Sequence, residues 1–495
     1  MGYKSLREFL EFAEQRGELK HVHGAHWDLE MSGIAELVHG EGKGKEPRPA
    51  ILFDEIPDYP KGYRTLFGQL DSTWRIAKVL GLPEDQIDRM SLLQNWRKRQ
   101  KEIRMIPPRV VASGPVLAHS DTGDEVNVLK FPVPRFHELD TNRYIGTGHA
   151  VINMDPDTGY VNLGTYRNMV VDRNTLCLHC GPGRRGSIIM QKKYFDRGQA
   201  MPIALALGMD PLLFLLSCQP GVPTGVSEYD YAGGIKAEPI EVIKGPYTGL
   251  PLPAHAEILI EGECLPGEFI DEGPFGEWHG YYANQGLEKV PEHVIRVKAV
   301  HHRDNPILTC AHVAVPPNES SLAQALSYSQ GIWNRLEEFG IRGIKSVWCH
   351  EVGCGLVFNV ISIEQLYTGH SREVGLIASQ YTQEQGKYTI VVEDDIDPSD
   401  LQQVIWAMTS RNAIERAIQL LPLCRTSNSN PSIPMAEKRQ AGARKTLYAT
   451  RVVIDTCRDL SWKPEWYPIA RLSPELRAKI SAKWESTLSD LMGKK

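Results

Sequence analysis

Two glutamates flank a short turn in the segment FIDEGPFGEWHGYY, residues 269–282. The Gly-Pro-Phe-Gly sequence between Glu272 and Glu277 is incompatible with a helix or a regular strand interior, so the segment is a shaped loop. Acidic turns are common on protein surfaces, and loops also carry many functional residues. The segment is therefore either an exposed connector or the wall of a site that uses two carboxylates.

A second polar group lies upstream, in Asn162-Leu-Gly-Thr-Tyr-Arg167. The odd spacing of Asn162 and Arg167 would point their side chains to opposite faces of a regular strand. Gly164 lies between them and permits a bulge that would bring both to one side. An inward-facing arginine needs an anionic partner, because a buried unpaired guanidinium is costly. Glu272 and Glu277 are the candidates, either as a catalytic set or as a plain structural salt bridge.

Cysteine spacing offers a weaker alternative, a zinc site. Cys177, His179 and Cys180 form a CLHC group, and Cys349 and Cys354 lie far downstream. A zinc ribbon needs two well-spaced pairs, whereas the second pair here has four intervening residues in an apolar, strand-like context. Nine scattered cysteines in a large chain without a signal peptide favour buried, reduced thiols in a cytoplasm. A zinc hydrolase built on the CLHC group ranks behind the hypotheses below.

Composition indicates an ordinary globular protein of two or three domains. The 495 residues are 42% hydrophobic and 23% charged, with a formal charge of −6. This acidic balance, without a block of lysine and arginine, argues against a nucleic-acid partner. No apolar run approaches the roughly 18 residues that a membrane span requires. We therefore expect a cytoplasmic protein without a membrane or nucleic-acid partner.

The pattern of elements predicts two kinds of domain. Residues 114–315 are dense in strand and turn signals, including a hairpin formed by 148–154 and 160–171. After Pro316-Pro317, a long helix precedes alternating strands and helices, which is typical of an α/β domain. We predict an N-terminal domain over 1–315 with its core at 114–315, a linker helix over 316–341, an α/β domain over 342–450 and a tail with a helix over 451–495.

Several other elements have predictable limits. A capping box at Ser5 opens a helix that stops at Gly17, 50–56 is a strand, and 83–104 is helical. Residues 424–446 are polar and broken by proline, which predicts a mobile segment. The last helix begins at Ser473-Pro474 and carries an apolar stripe that could dock on its own domain or on a second subunit: Leu476, Ile480, Trp484, Leu488 and Leu491.

Taken together and in this order, these segments resemble the UbiD family of prenylated-flavin-dependent decarboxylases. The matches are NxxxxR at 162–167, GVSE at 225–228, EGPFGEWHGY at 272–281, EDDIDP at 393–398 and VIWAMTSR at 404–411. The resemblance covers nearly the whole chain. It implies a mixed α+β and α/β fold: a flavin-binding N-terminal domain with a split β-barrel core, a linker helix, a C-terminal α/β oligomerisation domain and an exchanged terminal helix.

The resemblance also implies a mechanism. Loss of CO2 from an sp2 carbon needs an electron sink that side chains cannot supply, and prenylated FMN supplies it in this family. By motif match, Glu277 is the general acid that protonates the carbon after CO2 leaves. Arg167 holds the substrate carboxylate, and Glu272 anchors Arg167. Two carboxylates at one guanidinium can hold different protonation states, which suits one of them to deliver a proton.

Cofactor binding is implied for a further set of residues. Family members hold the cofactor phosphate through a divalent metal, generally manganese, with a nearby potassium, and the metal ligands are an asparagine, a histidine and a glutamate. Asn162 and Glu228 match the asparagine and the glutamate as metal ligands. The full set that we assign to the cofactor is Asn162, Thr165, Tyr166, Arg167, Arg184, Arg185 and Glu228.

The chain departs from the family pattern at the metal-binding histidine, whose position falls on Arg185. We predict that Arg185, with Arg184 and the amides of the Gly181–Gly183 turn, contacts the phosphate directly and partly replaces the metal. The alternative is a register shift of the glycine-rich segment that leaves His179 or a water as the third ligand.

The substrate is less constrained. Alignment with the family places Gly181, Trp278, Val315 and Leu423 in the pocket, and a small glycine beside a large tryptophan suits a planar ring. We favour an aromatic or heteroaromatic acid, or an activated derivative such as an acyl thioester, over an α,β-unsaturated acid. The chemistry is reversible. The competing hypothesis is a non-catalytic subunit. The expected partners are the small-molecule acid, a flavin prenyltransferase that supplies the cofactor, and further copies of the chain in a homodimer or homohexamer.

Overall fold

The structure is a computed structural model that describes residues 2–40, 48–85, 87–282, 289–381, 386–427, 429–441 and 447–491. Its helices are, in chain order, α1 Leu6–Gln15, α2 Glu30–His39, α3 Thr73–Leu80, α4 Arg89–Gln100, α5 Arg185–Ile189, α6 Pro211–Cys218, α7 Glu228–Lys236, α8 Ser321–Glu338, α9 His370–Ser379, α10 Leu401–Ser410, α11 Ile414–Ala417, α12 Met435–Ala441, α13 Pro474–Lys483 and α14 Glu485–Leu491.

Its strands are β1 Leu19–His23, β2 Ala50–Asp54, β3 Arg64–Phe67, β4 Arg109–Val110, β5 His119–Thr122, β6 Tyr144–Gly146, β7 His149–Met154, β8 Val161–Gly164, β9 Asn168–Asp172, β10 Thr175–Leu178, β11 Met201–Leu207, β12 Glu241–Lys244, β13 Pro251–Pro253, β14 Ile258–Glu272, β15 Val290–His302, β16 Ile307–Thr309, β17 Ile344–Cys349, β18 Phe358–Ile363, β19 Tyr388–Glu393, β20 Ile418–Thr426 and β21 Leu447–Asp455.

The N-terminal half is built around one large sheet with the order β6-β9-β10-β15-β14-β11-β7-β8, and β5 pairs with β15. The long strands β14 and β15 run antiparallel at its centre. Their β-branched and leucine side chains are buried, which explains why this stretch of sequence reads as strand. A smaller sheet, β1-β2-β3-β16, lies beside it and is closed by β16, from the far end of the same half.

The C-terminal half is a five-stranded sheet with the order β17-β18-β19-β21-β20. Strands β18 and β19 are parallel, and helix α9 connects them, as expected for an α/β unit. Helix α8 joins the two halves and packs on α4, where Trp96 Nε1 donates to Gln330 Oε1 over 2.9 Å. The mixed fold class is confirmed. Among the described residues, no helix is long and apolar enough to cross a membrane.

The predicted strand over 160–171 is two strands. The hairpin between β7 and β8 is present, with Asn153 opposite Asn162. However, β8 ends at Gly164, and β9 begins at Asn168 near the other end of the sheet. The bulge expected at Gly164 is therefore wrong: the chain leaves one strand and crosses to another, and Arg167 lies in that crossing.

Three other limits differ from expectation. Helix α4 begins at Arg89 rather than at 83, because Asp88 caps it and the preceding Leu82–Asp85 segment is irregular. Within 424–446, β20 continues to Thr426 and α12 forms, whereas 428 and 442–446 lie outside the described residues. The terminal helix is divided at Trp484 into α13 and α14, and its apolar stripe is largely exposed. Residues 492–495 lie outside the described ranges.

Candidate active site

Four neighbouring strands of the large sheet have one terminus each on the same side of the sheet, where the strands end. In the order β9-β10-β15-β14, adjacent strands are antiparallel, so the start of β9, the end of β10, the start of β15 and the end of β14 meet there. Arg167 precedes β9, His179 follows β10, Glu292 lies at the start of β15, and Glu272 ends β14. Sheet topology therefore gathers four polar side chains that are far apart in the sequence.

Arg167 lies between the two loop glutamates. Its Nε donates to Glu272 Oε1 over 2.6 Å and one terminal nitrogen donates to Oε2 over 2.8 Å, a bidentate pair. The other terminal nitrogen donates to Glu277 Oε1 over 2.8 Å. The guanidinium also stacks on the Phe275 ring, 4.4 Å from its centroid. The loop between the two acids thus supplies both carboxylates and an aromatic surface to one arginine.

The electrostatics of the site favour the charged forms of Arg167 and Glu277. Burial acts to lower the pKa of Arg167, but the charges of Glu272 and Glu277 outweigh it and hold this pKa well above its usual range. Burial acts to raise the pKa of Glu277, and the charge of Arg167 outweighs it and holds the pKa below its usual range. The lowered pKa favours the anion of Glu277, so a role as proton donor requires that its interaction with Arg167 weakens.

A third carboxylate and a histidine extend the trio. His179 Nδ1 lies 2.7 Å from Glu292 Oε1 and 3.6 Å from Glu272 Oε2. The backbone N–H of His179 donates to the carbonyl of Arg167, which fixes the histidine beside the arginine. Sequence reasoning missed Glu292. Only the strand pairing places Glu292 in the site. Leu178 and His293 are cross-strand partners, so the next residues along the two antiparallel strands, His179 and Glu292, meet.

A second polar cluster surrounds the first residue of α7. Glu228 Oε2 accepts from the backbone N–H of Leu163, and its Oε1 lies 3.2 Å from a terminal nitrogen of Arg185. The neighbouring Asn162 donates to Asn153 Oδ1 over 3.1 Å. Burial raises the pKa of Glu228 to about 7. The structure thus brings Asn162, Glu228 and Arg185 together and pairs His179 with Glu292 instead.

The other residues assigned to the cofactor border this cluster. Thr165 Oγ1 donates to the carbonyl of His149, and the Tyr166 hydroxyl accepts from the backbone N–H of Gly186. Burial raises the pKa of Tyr166 to about 12, so it stays a neutral phenol. Arg184 is exposed at the start of α5.

The four residues predicted to line the substrate pocket come from different parts of the fold. A Cβ at Gly181 would meet no heavy atom within 4 Å, so open space faces its backbone. Val315 packs against Gly280 in the loop that carries Trp278. The carbonyl of Trp278 accepts from Asn318 Nδ2 and from the thiol of Cys354 in the C-terminal half. Leu423 lies on β20, the edge strand of the C-terminal sheet, and is 76% exposed.

The cysteines do not form a metal site with His179 within the described residues. All nine cysteines are free thiols. Burial raises the pKa of Cys177 above its usual range and that of Cys180 to about 12, which keeps both as neutral thiols. The described groups of three close metal-binding side chains contain no cysteine. The described residues therefore do not support the zinc hydrolase hypothesis, which required a metal at Cys177, His179 and Cys180.

Comparison with known proteins agrees with this site. Three sequence profiles of one family match the chain: the 3-octaprenyl-4-hydroxybenzoate carboxy-lyase N-terminal domain over residues 10–91, its Rift-related domain over 109–316, and its C-terminal domain over 321–456. The chain therefore belongs to the UbiD family and is a carboxy-lyase, as its motifs predict.

Individual relatives match over most of their length. A pyrrole-2-carboxylic acid decarboxylase of Pseudomonas aeruginosa is 30% identical over 425 residues, 82% of each chain. The structure of the UbiD-class enzyme HmfF from Pelotomaculum thermopropionicum in complex with FMN superposes with a TM-score of 0.82 at 26% identity, covering 96% of this chain and 98% of that one. Apo 3,4-dihydroxybenzoic acid decarboxylase from Enterobacter cloacae gives 0.82 at 25% identity, covering 97% and 99%.

Proposed function

We propose that the protein catalyses the reversible, non-oxidative decarboxylation of an aromatic or heteroaromatic acid, or of an activated derivative, with prenylated FMN as cofactor. The observation that carries the proposal is the placement of one arginine between two acids at the edge of the large sheet. The names of the relatives support the substrate class, since they include decarboxylases of pyrrole-2-carboxylic and 3,4-dihydroxybenzoic acid.

The trio supplies electrostatic positioning and a proton. Arg167 holds the entering carboxylate, because a guanidinium pairs with a carboxylate in bidentate fashion. As the substrate takes up hydrogen bonds of Arg167, the arginine stabilises the Glu277 anion less, and the pKa of Glu277 rises. Glu277 then takes a proton from solvent and delivers it to the carbon that has lost CO2. Glu272 keeps two hydrogen bonds to Arg167 throughout and fixes its orientation.

The residues of the second cluster fit the phosphate end of a flavin nucleotide. A Cβ at Gly181, Gly183 or Gly225 would meet no heavy atom within 4 Å, so open space lies beside the glycine turn that precedes Arg184 and Arg185. When bound, prenylated FMN supplies the electron sink for loss of CO2. Asn162, Thr165, Tyr166 and Glu228 would hold it from the strand side.

The same residues fit a divalent metal poorly. Within the described residues, Glu228 belongs to no group of three close histidine, cysteine or carboxylate ligands. Arg185 lies where its charge already compensates Glu228. We therefore propose that Arg185, helped by Arg184 and the glycine amides, binds the phosphate directly and partly replaces manganese. A guanidinium carries one charge where the metal carries two, so Arg184 or potassium provides the remainder.

Metal analysis and flavin occupancy test the arginine assignment. Arg185→Ala should lower flavin occupancy after co-expression with a flavin prenyltransferase, while wild-type protein carries flavin with less than one divalent ion per chain. A stoichiometric divalent ion that is lost in Asn162→Ala, together with full flavin occupancy in Arg185→Ala, would show that the metal and not the arginine holds the phosphate.

A panel of acids tests the reaction. Flavin-loaded enzyme should release CO2 from one or more aromatic or heteroaromatic acids and should exchange the ring proton of the product for deuterium in D2O. Activity confined to α,β-unsaturated acids would reassign the substrate class. Colourless protein without bound flavin after co-expression would support a non-catalytic subunit. The proposed pocket residues Gly181, Trp278, Val315 and Leu423 are the positions at which substitutions should change the preferred acid.

Two proposed partners follow from the same chemistry. The flavin prenyltransferase supplies the cofactor, and further copies of the chain assemble through the C-terminal half in a homodimer or homohexamer. The exposed apolar side chains of the tail, Leu476 at 46% and Leu491 at 76% exposure, support assembly because they are uncovered in the single chain. Light scattering of the purified protein tests it.

A further inference from the structure

A cluster of two histidines and a glutamate lies beside the loop that carries Glu272 and Glu277. One ligand atom each from Glu36, His137 and His312 lies within 4.8 Å of the others. Glu36 is on α2, His137 is in the segment before β6, and His312 follows β16, so three separate parts of the N-terminal half converge here. The two imidazole rings lie 5.0 Å apart, and His312 Nε2 is 4.0 Å from Glu36 Oε2.

The convergence is built into the local structure. The backbone carbonyl of Arg135 accepts hydrogen bonds from the N–H of Leu29 and from the hydroxyl of Ser32. Because Arg135 precedes His137 by two residues, these bonds hold the start of α2 against the segment that carries His137. Glu36 lies one turn beyond Ser32 on the same face of the helix and points along the same segment. The backbone N–H of His312 is held by Glu319 Oε2 over 2.8 Å.

His312 has a buried nitrogen that lacks a hydrogen-bond partner. The residue is 2% exposed, and its Nε2 accepts or donates no hydrogen bond within the described residues. A buried polar atom without a partner is costly, and a bound metal ion is one of the ways in which proteins satisfy it.

His137 offers a second buried nitrogen to the cluster. Asp140 accepts from the backbone N–H of His137, and the Nδ1 of the ring lies 3.4 Å from Asp140 Oδ2. That nitrogen makes no hydrogen bond within the described residues, so it is available to a metal ion, as the Nε2 of His312 is. The Glu36 side chain is 41% exposed, so it can rotate inward. That rotation would bring the three ligand atoms close enough together for each to form a bond of roughly 2 Å to one Zn²⁺.

We propose that Glu36, His137 and His312 bind a zinc ion, with a water as the fourth ligand. Two imidazoles and a carboxylate suit Zn²⁺ better than Mg²⁺ or Ca²⁺, which prefer oxygen ligands. The other described cluster, His179 with Glu272 and Glu292, is less suited to a cation. There the guanidinium of Arg167 already occupies both oxygens of Glu272, and its charge repels a metal.

The zinc site braces the catalytic loop. The Gly276 backbone lies so close to His137 that a Cβ there would be 2.6 Å from the ring, and its N–H donates to Asp140 Oδ1. Thr141 Oγ1 donates to the carbonyl of Gly273, and the N–H of Leu139 donates to the Tyr282 hydroxyl. The segment that holds His137 therefore contacts the loop at three positions. Fixing His137 with a metal restrains the loop between Glu272 and Glu277.

Metal titration of the full-length chain tests the proposal. Protein stripped with a chelator is titrated with Zn²⁺ in competition with a chromophoric chelator, and with Co²⁺, whose visible bands report tetrahedral geometry. The parent chain is Glu228→Gln, so that binding near the proposed cofactor site does not contribute. We expect one Zn²⁺ per chain, tetrahedral Co²⁺ bands, and an affinity that falls by roughly tenfold or more in Glu36→Gln and in His137→Gln.

Glu11→Gln is the matched control, because Glu11 is an exposed helical glutamate of the same half. It should bind Zn²⁺ as the parent does, and Glu292→Gln should do so too. Hydrogen exchange of the 273–282 peptide should slow with Zn²⁺ in the parent and not in Glu36→Gln. Absence of Zn²⁺ binding by the parent, or binding that Glu36→Gln and His137→Gln leave unchanged, would overturn the proposal. Glu36 is partly exposed, so its variant tests the site even if His137→Gln fails to fold.

Discussion

Two acid–arginine networks, one in each half of the molecule, are built from similar residues and differ in balance. In the N-terminal half, Arg167 serves two carboxylates, Glu272 and Glu277. In the C-terminal half, Glu393 and Asp395 are surrounded by three cations. Arg411 binds both oxygens of Asp395 over 2.7 Å, and Arg458 and Lys463 approach Glu393 to 2.5 and 2.6 Å: these contacts enclose the two acids.

The difference separates a structural network from the one that we propose to be reactive. Glu393 is fully buried, and both of its oxygens are paired, so it joins the end of β19 to Arg411 at the end of α10 and to Arg458 and Lys463 beyond β21. Glu277 accepts from Arg167 through Oε1, and its Oε2 accepts no hydrogen bond within the described residues. An acid with a free oxygen beside a single shared cation can change protonation state, whereas a fully paired acid cannot do so without unfolding.

The largest expected difference between the two networks appears when the arginine of each is removed. Arg167→Ala should preserve folding, because Glu272 and Glu277 can take up protons, and should lower decarboxylation by about 10³-fold or more, because the carboxylate-binding charge is gone. Arg411→Ala should keep activity per folded molecule and lower the free energy of unfolding by about 3–5 kcal/mol, since it leaves buried acids short of a partner. CO2 release and denaturant unfolding of both variants measure this.

The two variants serve as controls for each other. Turnover by Arg167→Ala comparable to that of the wild type would sink the catalytic assignment. An Arg411→Ala protein that unfolds at the wild-type denaturant concentration would show that the C-terminal network is not structural.

Neutralising one acid of the reactive network sharpens the comparison. Glu277→Gln keeps a side chain that can still bond to Arg167 but cannot deliver a proton, so kcat should fall by roughly 10²–10⁴-fold. Glu272→Gln can keep only one of the two hydrogen bonds from Arg167, through its amide oxygen, but leaves the proton donor in place, so its kcat should fall less. Single-turnover assays with a substrate from the acid panel give both rates. Equal losses in the two variants would mean that the proton donor has been assigned wrongly or is shared.

The sequence allowed the members of the reactive trio to be predicted, because each lies within a short motif. Its extension could not be predicted. Glu292 joins the site only through the pairing of β15 with β10, and the register of two strands separated by more than a hundred residues is set by tertiary packing. The wrong bulge at Gly164 has the same origin, since nothing local indicates that β8 and β9 lie near opposite ends of one sheet.

The pH dependence of thermal stability tests the structural role of the C-terminal network. Burial acts to raise the pKa of Glu393, but hydrogen bonds from Arg458 and Lys463 outweigh it and hold the pKa below its usual range. A lowered folded-state pKa stabilises the protein above the unfolded value of about 4.3, and this stability is lost as pH falls toward the folded value. Melting temperatures between about pH 5.5 and 3.5 should therefore fall less steeply in Glu393→Gln than in wild type. Parallel curves would contradict the assignment.

The smallest expected effect comes from the edge of the reactive network. Besides burial and the larger influence of Arg167, the positive charge of His179 contributes to the low pKa of Glu277, and His179 Nδ1 lies 2.7 Å from Glu292 Oε1. His179→Gln can keep a hydrogen bond to Glu292 but removes that positive charge, so the pKa of Glu277 should rise. Because Glu277 must be protonated to act, the alkaline limb of kcat, on which activity falls as pH rises, should shift to higher pH. The loss in kcat should be about two- to tenfold, as expected for one hydrogen bond. A purely structural role for His179 would lower kcat at every pH without moving the limb, so the pH profile, rather than the rate at one pH, decides whether the histidine belongs to the reactive network.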